Sequence, residues 1–159
     1  MAATPQQQGK YFKGLAVLAA RTAEEKKGEN ILLLHIRPVS TIADYLLIVS
    51  ATSPAHIRAI EEAVRVRLKT DGENPGRRDG RQSDIWRVLD YGGLLVHLMH
   101  PKARDFYSLD KLFHNARPVE WLVPPKKSAP QKSVPKKAAK KKKSKTVRKT
   151  KAVRRRAHD

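Results

Sequence analysis

The chain has 159 residues and a formal net charge of +19, a length that suits one domain with an appendage. The absence of cysteine excludes disulfides and thiol chemistry, leaves His, Asp and Glu as the available metal ligands, and fits a reducing cytoplasm. No apolar run approaches the ~18 residues of a membrane helix. The charge is concentrated at one end. Residues 126–159 hold 16 Lys/Arg and one acid, Asp159, a net of +15; residues 1–125 hold the other 18 basic and 14 acidic residues, a net of +4. With three Val and no aromatic residue, 126–159 cannot bury enough apolar surface to offset the entropy of ordering, and it is expected to be a disordered basic tail.

Residues 1–9 are polar and are expected to be flexible, with the folded domain over 10–115. From 10 to 27, Tyr11, Leu15, Leu18, Ala19 and Thr22 recur at three- and four-residue spacing on one helical face, and Gly28 follows as a left-handed cap. Residues 14–20 (GLAVLAA) faintly resemble the core of a signal peptide, but seven residues running into a charged helical pattern argue against export. Residues 30–37 (NILLLHIR) and 45–51 (YLLIVSA) are short aliphatic runs that read as strands covered on both faces. Thr52-Ser53-Pro54 marks a helix start, with Ser53 as N-cap and Pro54 at the first helical position. In that helix Ile57, Ile60, Val64 and Leu68 form the buried stripe, and Arg58, Glu61, Glu62, Arg65 and Lys69 lie off it. Residues 72–84 (GENPGRRDGRQSD) carry no apolar residue and read as a long surface loop.

Residues 85–100 (IWRVLDYGGLLVHLMH) read as a hairpin closed at Gly92-Gly93. A two-residue turn there pairs Tyr91 with Leu94, Leu89 with Val96 and Arg87 with Leu98. The other face then carries Trp86, Val88 and Asp90 opposite Met99, His97 and Leu95. Both faces are largely apolar, whereas a half-solvated sheet alternates. Either another element covers the Trp86 face, such as a helix or a strap at 119–123, or that face meets a partner; Trp and Met are enriched in interface cores. Pro101 opens a short helix, and Ser108 caps another in which Leu109, Leu112 and Phe113 face inward. Residues 116–125 (ARPVEWLVPP) form an apolar extension. The expected architecture is α/β: a mixed sheet of four strands with flanking helices, one face covered well and the other poorly.

Residues 40–45 (STIADY), Thr52-Ser53, Trp86 with Leu89-Asp90-Tyr91-Gly92, Val96-His97, His100-Pro101, Ala103-Arg104 and 107–112 (YSLDKL) resemble, in order and spacing, the ribosomal silencing factor (Iojap) family over about 10–113. The resemblance implies a domain like the nucleotidyltransferase fold. It also implies binding to a protein on the intersubunit face of the large ribosomal subunit, the fourteenth in the usual naming, which blocks subunit joining, and frequent dimerisation. It carries partner-contact roles onto Trp86, Leu89, Asp90 and Tyr91, with Val88 and His97 beside them. By strand parity Tyr91 lies opposite Trp86 and reaches the partner only from the turn. This chain departs from the family pattern at Gly93, where an acid is frequent, and at Phe113, where Trp is frequent.

A nucleotidyltransferase-like fold raises the question of catalysis, which would need two or three carboxylates holding metal ions. The strand after the Thr52-Ser53 helix carries one acid, Asp90, and the acid-x-acid spacing Asp71/Glu73 falls at a helix end. His97 and His100, three apart on a strand, point to opposite faces. No enzyme, cofactor or metal site is expected. In the tail, Lys140, Lys141, Lys142 and Lys143 with Arg154, Arg155 and Arg156 are cationic clusters that fit nonspecific rRNA contact without base reading. The expected function is a cytoplasmic translation repressor without an active site. The alternative is a general RNA-binding or ribosome-assembly protein acting through its tail.

Overall fold

The structure is a computed structural model and describes residues 2–122. The tail clusters Lys140–143 and Arg154–156 and the end of the apolar extension lie outside the described residues. Helix α1 spans Pro5–Glu25, β1 Glu29–His35, β2 Tyr45–Ser50 and α2 Pro54–Thr70. Then come β3 Arg77–Asp79, β4 Trp86–Asp90, β5 Leu94–Met99, α3 Pro101–Tyr107, α4 Leu109–Leu112 and β6 Arg117–Pro118. The six strands form one mixed sheet in the order β3-β4-β5-β2-β1-β6, with β2 and β5 parallel and the other pairs antiparallel. The α/β class stands, with six strands among the described residues in place of four.

Several expectations need correction. The first helix starts at Pro5, so residues 5–9 are its first turns and not a loose segment. Thr4 caps it: its hydroxyl accepts from the Gln7 N–H while the Gln7 side chain accepts from the Thr4 N–H. The run 14–20 sits in the middle of this helix, with Leu15, Ala16, Ala19 and Ala20 buried. After the helix, Lys27 takes the left-handed conformation (φ 62°) and not Gly28, whose N–H bonds to the Ala23 carbonyl. Gly28 packs so tightly against Val49 and Ala23 that no side chain fits there. The loop at 72–84 contains an edge strand, β3.

The two sheet faces are covered unequally. One carries Leu33, Tyr45, Leu47, Val49, Leu89, Val96 and Leu98 against α1 and α2. From α2 the stripe Ile57, Ile60, Val64 and Leu68 is fully buried, each side chain contributing about 1.5–3 kcal/mol. The extension beyond β6 packs on this same side: Val119 and Trp121 touch the core cluster, and Arg21 Nε donates to the Trp121 carbonyl at 3.3 Å. It therefore does not cover the Trp86 face. That face has a smaller cluster, in which Leu34, Leu46, Ile48 and Met99 meet Ala103 of α3 and Leu109 of α4. In α4 only Leu109 is buried; Phe113 is half-buried and Leu112 is exposed.

Glu61, placed off the stripe by periodicity, is buried. Its carboxylate accepts from Arg78 of β3 and Arg87 of β4, both at 2.6 Å, so one acid ties α2 to two strands. Burial by itself pushes the Glu61 carboxyl up, but the hydrogen bonds and charges of the two arginines outweigh it and hold it below the usual carboxylate range. The partly buried Arg78–Glu61 contact, together with pairing to β4, holds the polar strand β3 of this Gly- and Arg-rich stretch on the domain.

Candidate partner-docking face

The hairpin pairs in the expected register: Trp86 with Met99, Arg87 with Leu98, Val88 with His97, Leu89 with Val96 and Asp90 with Leu95. Its turn is closed by the Asp90 carboxylate, which accepts from the Gly92 N–H at 2.7 Å, and Gly92 is in the left-handed region at φ 81°. Gly93 has a separate constraint. Its carbonyl accepts from the Asp44 and Tyr45 N–H groups, and a Cβ on it would come within 2.5 Å of three ring carbons of Phe12 from α1. The family-type acid at this position is therefore incompatible with Phe12 as packed here.

The six candidate contact residues divide by strand parity. Trp86, Val88, Asp90 and His97 share one face and are all partly exposed. Leu89 is fully buried and Tyr91 is 7% exposed, both in the core under α1 and α2. The structure thus brings four of the six together and places Leu89 and Tyr91 behind the sheet. The contact roles carried to them by resemblance do not fit direct contact: strand alternation sends every second residue inward. Burial pushes the Tyr91 phenol up to about 12.

On the open face, Trp86 is held from three directions. Its indole Nε1–H donates to His97 Nδ1 at 3.0 Å, its backbone N–H donates to Ser83 Oγ at 3.1 Å, and its ring packs on Tyr107 with centroids 4.5 Å apart. Burial lowers the His97 pKa to about 4, so the imidazole is neutral and acts as acceptor at Nδ1, leaving its proton on Nε2. Around Trp86 and Val88 lies a shallow hollow of about 390 Å³ whose wall includes Ser83, Ile85 and Tyr107. Ile85 is 51%, Phe106 81% and Tyr107 49% exposed. Periodicity missed these three. A signal for the last two was present: two consecutive aromatics on a seven-residue helix cannot both face the sheet.

The face is chemically a rigid apolar surface with a few fixed polar atoms. It has no cluster that suits metal-assisted chemistry; among the described residues no three His, Asp or Glu side chains converge. His100 caps α3, accepting from the Lys102 N–H at 3.2 Å. Arg104 anchors the α3–α4 corner through Asp110 and Ser50 Oγ, at 3.2 and 2.9 Å. Among the described residues no helix is long and apolar enough to cross a membrane.

The sequence and fold have known relatives. The family profile described as "ribosomal silencing factor during starvation" matches residues 10–155, beyond the stretch at 10–113 that carries the motifs and into the basic sequence. A Halalkalibacterium halodurans protein named ribosomal silencing factor RsfS is 31% identical over 106 residues, covering 67% of this chain and 91% of that protein. A mouse protein named mitochondrial assembly of ribosomal large subunit protein 1 is 29% identical, covering 56% of this chain and 40% of its own length. A crystal structure of a Chromobacterium violaceum protein superposes with a TM-score of 0.62 at 25% identity, over 72% of this chain and 95% of that one. With the profile matched over most of its length, the chain belongs to the family of ribosomal silencing factors during starvation.

Proposed function

We propose that the protein represses translation by docking its Trp86 face on the family's expected partner, the fourteenth protein of the large ribosomal subunit, and so excluding the small subunit. The observation that supports this reading most is the state of Trp86. Its polar atom is satisfied inside the domain and its rotamer is held by His97 and Tyr107, yet it stands partly exposed among Val88, Ile85 and Tyr107. A large aromatic whose N–H is already satisfied and whose rotamer is already held loses little entropy on binding, which is the character of an interface anchor. The mechanism is steric and needs no catalytic group. A homodimer built on the same face competes with the ribosomal partner. The test is order of addition in subunit joining: protein added to large subunits before small ones lowers the joined fraction, and lowering that persists with Trp86→Ala removes this face from the mechanism.

A second reading is ribosome assembly or general RNA binding through residues 126–159. It is supported by the +15 charge of that sequence and by the name of the mouse relative. Deleting 126–159 separates the two: a truncated chain that keeps large-subunit binding at moderate salt supports docking by the domain, and complete loss supports the tail.

A further inference from the structure

We propose that the domain carries a binding groove for single-stranded RNA, on the opposite sheet face from Trp86 and at the opposite edge of the sheet. It lies where the first half of α1 passes over β2, β1 and β6. A hollow of about 550 Å³ there is walled by Lys13, His35, Tyr45, Arg117 and Leu122. A second hollow of about 460 Å³ shares Lys13, His35 and Tyr45 with the first and continues past Lys10 and Arg37. The two make one elongated channel, the shape of a strand more than of a single nucleotide.

Its chemistry matches that shape. Four cations, Lys10, Lys13, Arg37 and Arg117, stand along it against one acid in its wall, Glu120. Arg37 sits 3.5 Å from Asp44, and Lys10, Lys13 and Arg117 have no carboxylate within salt-bridge distance among the described residues. Between the cations, His35 stacks on Tyr45 with ring centroids 4.9 Å apart and planes 27° from parallel. His35 is the outer ring of the stack: it is partly exposed, whereas Tyr45 is buried. A base laid on His35 extends the stack by one layer, with the flanking phosphates over the lysines and arginines. Cations that follow a backbone combined with an aromatic platform are the two parts of sequence-tolerant single-strand binding. The sequence 126–159 has the cations and lacks the aromatic platform; the groove has both.

This inference does not rest on the docking reading, because it uses the other face. The probe is a single-stranded RNA octamer carrying one 4-thiouridine, irradiated with the full chain and mapped by mass spectrometry. The groove predicts cross-links on peptides containing His35, Tyr45 or 117–122. Lys10→Glu with Lys13→Glu should lower them at least tenfold while cross-links within 126–159 persist. Both lysines are exposed, so an unchanged melting temperature is expected; His35→Ala, keeping all charges, should also lower them severalfold. Cross-links confined to 126–159, or groove cross-links indifferent to both variants, overturn the proposal. Competition by uridine monophosphate equal to that by the octamer overturns the strand assignment in favour of a mononucleotide pocket.

Discussion

The Trp86 indole N–H donates to Nδ1 of His97 across the β4–β5 pair at 3.0 Å, between residues that are diagonal neighbours in the sheet. The bond fixes the tautomer of the histidine and the rotamer of the tryptophan together. A charged His97 has no lone pair at Nδ1 to accept it.

The protonation of His97 should therefore be visible in stability. Its folded pKa, about 4, lies below its ordinary 6.5, so the unfolded chain binds the extra proton first as pH falls. The neutral ring's contribution is complete above pH 6.5 and is lost progressively down to about 4. The upper limit is about 3 kcal/mol, lowered by the solvent that reaches the partly exposed ring. Chemical denaturation from pH 4.5 to 7 should show stability rising with pH, and His97→Gln should flatten that slope. An NMR titration placing the His97 midpoint near 6.5 contradicts it.

Glu61 gives a second, lower window. Because its folded pKa is depressed, its contribution is present above its ordinary pKa of 4.5 and disappears as pH falls below it. At neutral pH, Glu61→Gln should cost about 3–5 kcal/mol, because it leaves Arg87 buried without a counter-charge. Urea melts should show that loss together with a weaker acid limb. Hydrogen exchange should show β3 opening first, since Arg78 of that strand depends on the same carboxylate.

Gly93→Asp should destabilise the domain by about 1–3 kcal/mol through overpacking against Phe12. Phe12→Ala in the same chain should recover part of that loss, a positive coupling that a double-mutant cycle of melting free energies measures directly. Additive losses would mean that the ring does not set the choice of glycine.

What could be read from the sequence divides along physical lines. The Ser53-Pro54 start, the α2 stripe and the register of the hairpin are set by residues adjacent in the chain, and the structure shows them as expected. The early start of α1 was also readable, since Thr4 and Gln7 have capping-box spacing. Strand β3 was not: Arg77–Asp79 has no apolar pattern, and its place depends on Glu61, 17 residues from Arg78 in the chain. At the candidate face, parity placed Trp86, Val88, Asp90 and His97 together. Leu89 and Tyr91 were carried there by resemblance, against the parity that puts them in the core.

Removing 126–159 should change the salt dependence of ribosome binding more than binding at high salt. Fewer released counterions mean a shallower fall of affinity with salt, whereas docking through an apolar face is only weakly screened. Binding curves at several salt concentrations, with the truncated and full chains, measure both slopes.

The most direct test of the docking face is co-sedimentation of Trp86→Ala and Val88→Glu full chains with isolated large subunits at moderate salt, with melting temperatures measured alongside. Val88 is partly exposed and outside both core clusters, so the charge should leave the fold intact. The account predicts a loss of about 2 kcal/mol or more, roughly thirtyfold in affinity, for each variant. Wild-type binding by both folded variants would contradict it.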